Sequence, residues 1–303
     1  MDKSKERHVH IFSESMLFMA IIAALLLPAA CGELAKSAPK AGEEYEISKR
    51  YETSGQASDG SSGSSRGRDT FLERVVATRE GGLELEYDLA KDATAQDRAR
   101  TWQFPVRVFR PSTGPMQLLN RPELEARLEG WLKAAGWTRA VCGRWIFTWN
   151  AFRIECDPQS VIKILEALDL RSVDLREGAS YQEAEARGPG TLTRKAAGPN
   201  GDTFAVAMEV DPDAVRRARA ESDVAVGEIM RKPVTLDAAL RARANESVSG
   251  TISVTFDTDA GGHVRRRTKV TKVETKGSDG RSESQTATET VERRPVSGLS
   301  TIR

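Results

Sequence analysis

SGTISVTFDTDAGGHVRRRTKVTKVETKGSDGRSESQTATETVERR, residues 249–294, decides how this chain must fold. Ile252, Val254 and Phe256 alternate with Thr251, Ser253, Thr255 and Asp257. A period of two puts apolar side chains on one face of a strand and polar ones on the other. Asp259 to Gly262 carries the Gly-Gly turn chemistry of a hairpin, and the arm that follows is long, basic and rich in β-branched residues. The stretch predicts strand, turn, strand, loop, strand. Its run RRRTKVTK, 265–272, is the strongest positive patch of the chain. On a strand those charges divide between two faces, which predicts a solvated sheet edge that discourages edge-to-edge pairing.

The same signal appears near the start. In DTFLERVVATREGGLELEYDLA, 69–90, Leu83, Leu85, Tyr87 and Leu89 alternate with Glu84, Glu86 and Asp88, and Gly81-Gly82 supply a turn. This predicts a hairpin whose three acidic residues are separated and solvated on the wet face. Residues 101–109, TWQFPVRVF, offer another strand, with Pro105 marking an edge or a bulge. EYEISKRYET, 44–53, alternates weakly, with Tyr45 and Ile47 on one face. The Ser/Gly-rich segment 54–68 has almost no apolar residue and predicts a mobile loop.

Between the strand-rich ends the period changes. Leu124, Leu128, Trp131, Leu132 and Ala135 form one helical stripe, with Asn120 and Glu123 at capping-box spacing, Pro122 in the first turn and Gly136 at the end. Next, WTRAVCGRWIFTWNAFRIECDP, 137–158, reads as two strands about a turn near Trp149 and Asn150. Cys142 and Cys156 are equidistant from Trp149, so a hairpin centred there sets them opposite one another and predicts a disulfide. Asp157-Pro158 then opens a helix with Val161, Ile162, Leu165 and Leu168 on its apolar face. A matching unit recurs 54 residues on: FRIECDPQSV, 152–161, aligns with VAMEVDPDAV, 206–215. Either the unit is duplicated, or strand–Asp–Pro–helix capping chemistry has arisen twice. A further helix is expected after Thr235.

The fold expected is α+β, with antiparallel β-meanders at both ends of the chain and a central pair of β-hairpin–helix units. The terminal meanders are expected to pair into one sheet. The boundaries read as a signal peptide at 1–32, a disordered tether at 33–43, one α+β domain at 44–295 with its flexible loop at 54–68, and a frayed tail at 296–303. This layout, with the hairpin motif carried by Phe256, Asp257, Asp259 and Gly261, resembles uncharacterised exported or lipidated, strand-rich envelope proteins of Gram-negative bacteria. The resemblance covers mainly 44–90 and 248–294 and brings no catalytic residues with it.

The address is read at the N-terminus. Lys3, Lys5 and Arg7 precede the apolar run Met16 to Leu27, which is shorter than the roughly 20 residues a membrane span takes. Ala29, Ala30 and Cys31 match the small-residue end of a lipobox, but Pro28 stands where Leu is expected. Cleavage before Cys31 with acylation, and cleavage after Gly32, both remain open. The protein is expected in the periplasm, or as a membrane-anchored lipoprotein facing it. An oxidising compartment agrees with the Cys142–Cys156 pairing. With 45 basic against 44 acidic residues, nothing global points to nucleic acid or a membrane surface as partner.

Catalytic sets are thin. His263 is the one histidine beyond the n-region, on a Gly-Gly turn where an exposed side chain is expected. Ser160 and Lys163 match S-x-x-K without its companion motifs, and Ser37 to Lys40 match it equally. Asp257, Asp259 and Gly261 begin a calcium-loop pattern, but Thr268 stands at the twelfth position. No cofactor or metal is expected. Trp145, Phe147 and Trp149 form an alternating aromatic stripe that is either core or an apolar ligand or partner groove. The function expected is non-catalytic binding of an apolar ligand such as a lipid, or of an envelope protein. The alternatives are a structural or assembly role and a hydrolase of unrecognised type.

Overall fold

A computed structural model describes residues 39–147 and 151–296. The strands are β1 Glu44–Ala57, β2 Ser62–Arg79, β3 Gly82–Leu89, β4 Val106–Pro111, β5 Gln117–Leu118, β6 Trp145–Phe147 and β7 Ala151–Arg153. They continue with β8 Ser180–Tyr181, β9 Gly190–Thr191, β10 Thr193–Gly198, β11 Gly201–Glu209, β12 Ser247–Thr258, β13 Val264–Lys276 and β14 Ser282–Pro295. The helices are α1 Ala95–Arg100, α2 Arg121–Ala134, α3 Val161–Leu168, α4 Pro212–Ile229 and α5 Leu236–Arg243. The class is α+β.

One antiparallel sheet of ten strands dominates, in the order β10-β11-β12-β13-β14-β1-β2-β3-β4-β5. The two terminal meanders join where β1 pairs with β14, from Tyr45 opposite Pro295 to Ala57 opposite Glu283. Cross-strand partners share a face, so the registers define the covered face of the sheet. On one wing it carries Ile47, Leu85, Tyr87, Val106 and Val108, all fully buried; on the other, Phe204, Val206, Ile252, Val254 and Phe256. Between the wings the same face is charged. Lys49 meets Glu289 at 2.7 Å, Arg267 meets Glu289 at 2.9 Å, and Lys269 reaches Glu183 at 3.3 Å. Desolvated charges persist only when paired, and each of these has a partner.

Helix ends follow their caps. Asp157 accepts from Gln159 N at the 3-10 turn before α3, and Asp211 accepts from Asp213 N at the start of α4. Thr235 caps α5. The two hairpin–helix units share this capping but not their setting. β6 and β7 form a separate two-stranded sheet, whereas β10 and β11 belong to the main one. Helix α2 buries Leu124, Leu128 and Leu132, as its stripe predicts. Its expected cap is corrected: Asn120 makes no cap bond, and its Oδ1 accepts from Arg107 N at 2.9 Å. The short helix α1, with a Thr94–Asp97 capping box, was not anticipated.

Other expectations are corrected too. The segment 54–68 is not a loop but the far ends of β1 and β2, closed by a turn at 58–61. Here β1 is paired on both sides, Ser54 with Thr286 and with Ser64, so main-chain hydrogen bonds order a stretch that has almost no apolar side chains. The expected tether is docked from Pro39 onward: Thr78 Oγ1 donates to Pro39 O, and Gly42 N to Val75 O. At the other end Val296 N donates to Glu44 O; the expected frayed tail beyond it, the signal peptide and Cys31 lie outside the described residues. β13 is no edge, for it lies between β12 and β14. Glu84 is not solvated: it is 1% exposed and held by Arg79 and Arg107 beside a bulge in β2.

Candidate functional site

At one end of the main sheet β1, β3 and β13 begin while β2, β4 and β14 finish. This end gathers residues that are remote in sequence. β3 brings Leu83, which pairs with Arg110 of β4. β1 brings Tyr45, opposite Glu73 of β2, and β14 brings Arg293, opposite Ile47. The chain leaving α3 adds Leu170, Arg171 and Val173, and the turn between β12 and β13 adds Asp259, His263 and Val264. Together they line a cavity of about 530 Å³. A second cavity, of about 820 Å³, shares Arg110, Arg171 and Val173 in its wall. Both volumes fall within the ~300–1,000 Å³ of small-molecule sites.

Behind the first cavity is a buried charge cluster centred on Glu73, which is 1% exposed. Arg171 grips it with both terminal nitrogens, each at 2.6 Å, and Arg293 donates to Oε1 through Nη2 at 2.8 Å. Tyr87 donates its hydroxyl to Oε2 at 3.0 Å. The Arg293 guanidinium stacks on the Tyr45 ring, 3.2 Å from its centroid, a cation–π contact that holds the arginine flat. Arg110 donates through Nε to Asp169 at 2.6 Å, and the other Asp169 oxygen accepts from Arg171 N. Burial pushes the Glu73 carboxyl up, but the charges and hydrogen bonds of Arg171 and Arg293 outweigh it and hold it at about 2. Burial and the Glu73 charge together push the Tyr87 hydroxyl well above its ordinary range, so it stays a donor.

The rim differs in character. Asp259 accepts from Arg265 and from the His263 main chain, and its Oδ1 lies 3.3 Å from His263 Nδ1. Burial works against the Asp259 carboxylate, yet those partners keep it below its usual range. Glu43 accepts from the Tyr45 hydroxyl at 2.8 Å. The apolar part of the wall is supplied by Leu83, Leu170, Val173 and Val264. Among the described residues no group of three or more His, Cys, Asp or Glu side chains is arranged to hold a metal ion. The arrangement offers a cavity in which apolar side chains stand beside fixed guanidinium groups and rim carboxylates.

The predicted disulfide is present: Cys142 and Cys156 are bonded, with Cα atoms 5.6 Å apart. Trp145 opposite Arg153 and Phe147 opposite Ala151 give the hairpin the expected centre. The aromatic stripe is only partly described. Trp145 is half-buried, its N donating to Glu228 at the end of α4, while Ile146 rather than Trp145 packs against the core. Phe147 is in β6, Trp149 lies outside the described residues, and neither of the two cavities has Trp145 in its wall. His263, expected on an open turn, is a half-buried cavity residue.

Arg110, Arg171 and Arg293 carried no signal as single letters in the sequence. The trace that could have found them is a glutamate, Glu73, at an inward position of a strand, since a carboxylate facing a core demands cationic partners.

No protein-family model matches the chain, and no curated protein matches it. Among solved structures, lipovitellin aligns at 9% identity with a TM-score of 0.37 over 86% of this chain and 26% of that one. This chain therefore spans about a quarter of the lipovitellin chain. An outer membrane channel from Pseudomonas putida F1 aligns at 8% identity with a TM-score of 0.20, over 86% of this chain and 98% of that one. Likeness at this level assigns neither family nor activity.

Proposed function

We propose that the chain is an exported envelope protein that binds an apolar ligand without catalysing a reaction, and that the cavity at the β1–β14 seam is its seat. The observation that carries the reading is the chamber itself, about 530 Å³ with Leu83, Leu170, Val173 and Val264 in its walls. A pocket of this size that sets apolar side chains beside convergent polar groups is a common form of ligand site. Export is supported by the basic start and apolar run of residues 3–27 and by the disulfide, which persists in oxidising compartments. Among the described residues no helix is long and apolar enough to cross a membrane. Membrane attachment, on this reading, would come through an acylated Cys31. The reading places binding at the cavity rather than at Trp145, Phe147 and Trp149.

The test is a titration of delipidated protein with the neutral fluorescent probe N-phenyl-1-naphthylamine. Saturable binding at one site is expected, weakened at least tenfold by Val173→Glu, which puts a charge into the wall of the chamber. Absence of saturable binding, or binding untouched by that substitution in a folded variant, would overturn the assignment.

A further inference from the structure

We infer that the ligand of this chamber is a carboxylic acid with an apolar chain, its carboxylate seated against Arg110, Arg171 and Arg293. The inference rests on the binding role proposed above and adds the chemistry of the head group. Three arginines of the cavity wall share two buried carboxylates: Arg171 and Arg293 both hold Glu73, and Arg110 holds Asp169. With Arg265, Glu43 and Asp259 included, the wall and its buried partners balance at four guanidinium groups against four carboxylates, so what the cluster offers is unspent donors rather than surplus charge. Its members are largely withdrawn from water, Arg110 at 14% and Arg293 at 7% side-chain exposure. A guanidinium in such a place gains from an anion that meets its remaining donors.

The donors are available. Arg110 spends Nε on Asp169, and among the described residues its two terminal nitrogens have no hydrogen-bond partner. A guanidinium fork of that kind suits the two oxygens of a carboxylate. Direction is set as well. Glu43 is at the half-exposed rim and repels an acid head, and Arg265 there is already matched by Asp259. The head is driven toward the three arginines, and the chain lies along Leu83, Leu170 and Val264.

The test is calorimetric titration of the delipidated full-length exported protein with decanoic acid, decan-1-ol and acetate at neutral pH. The acid is expected to bind at least tenfold more tightly than the alcohol, and acetate at least a hundredfold more weakly than decanoic acid. Equal affinity for acid and alcohol would overturn acid recognition and leave the apolar site standing. Acetate binding as tightly as decanoic acid, or no binding by either ten-carbon compound, would overturn the apolar site itself. Arg110→Gln, provided its near-ultraviolet circular dichroism matches the parent, should bring the acid-to-alcohol ratio close to one; an unchanged ratio in that folded variant would overturn the role of Arg110. The ligand series on the unaltered protein decides the matter if the variant does not fold.

Discussion

Glu73 is the residue on which the cavity end of the sheet depends. Its carboxyl lies at about 2 in the fold against 4.5 for an ordinary one. A depressed carboxyl stabilises the fold above its unfolded value, and the contribution is lost as pH falls from about 4.5 toward 2. The shift corresponds to something on the order of 3 kcal/mol. Urea unfolding at pH 7, 4 and 2.5 should show that loss. In Glu73→Gln the same acid-dependent step should be absent, and stability at pH 7 should fall by about 3–5 kcal/mol, because two arginines lose their partner. A variant as acid-sensitive as the parent would contradict the assignment. Gly82 acts on the same end through sterics. A Cβ there would lie 2.3 Å from Arg110 O and 2.8 Å from Pro111 Cα, so β3 and β4 approach closely only because Gly82 has none. Gly82→Ala should cost about 1–3 kcal/mol by overpacking, read as a lowered Tm. It should also loosen ligand binding by displacing Arg110.

At the scale of elements, what was legible is what local chemistry sets. The Cys142–Cys156 bridge followed from a hairpin centred on Trp149, since strand registry fixes which residues face each other. Closing a loop with a sequence separation of 14 should stabilise the fold by about 3 kcal/mol. Chemical denaturation of the reduced and non-reduced protein measures it, and identical midpoints would refute a stabilising bridge. Asp211 caps α4 as its Asp-Pro start indicates, and Asp211→Ala should cost about 1 kcal/mol. What was not legible depends on neighbours distant in sequence. Residues 54–68 look like a linker because their order comes from main-chain bonds of β1 to β14 and to β2. Arg267 and Lys269 looked like edge charges, although they face inward and are answered by Glu289 and Glu183 from other segments. Glu84 alternates like a solvated residue, and only the bulge between Val75 and Ala77 and the arginines Arg79 and Arg107 explain its burial.

At the scale of the molecule, pairing the first strand with the last builds the sheet and also the site. Because β1 lies beside β14, residues near positions 43–45 and 293 share one wall with Leu83, Arg110 and the turn at 259–263. The alternating patterns at the two ends announced the sheet. They could not announce the chamber, whose arginines come from three separate segments and follow no period. Trp145 and Phe147, the described part of the aromatic stripe that the sequence did announce, are on a small separate hairpin. These two locations make different predictions about where a ligand acts. Amide hydrogen exchange of the delipidated protein, with and without decanoic acid, compares them directly. Added protection is expected at 43–45, 83, 110, 170–173 and 259–265. Protection confined to 145–154, or none anywhere, would contradict a ligand seat at the β1–β14 seam.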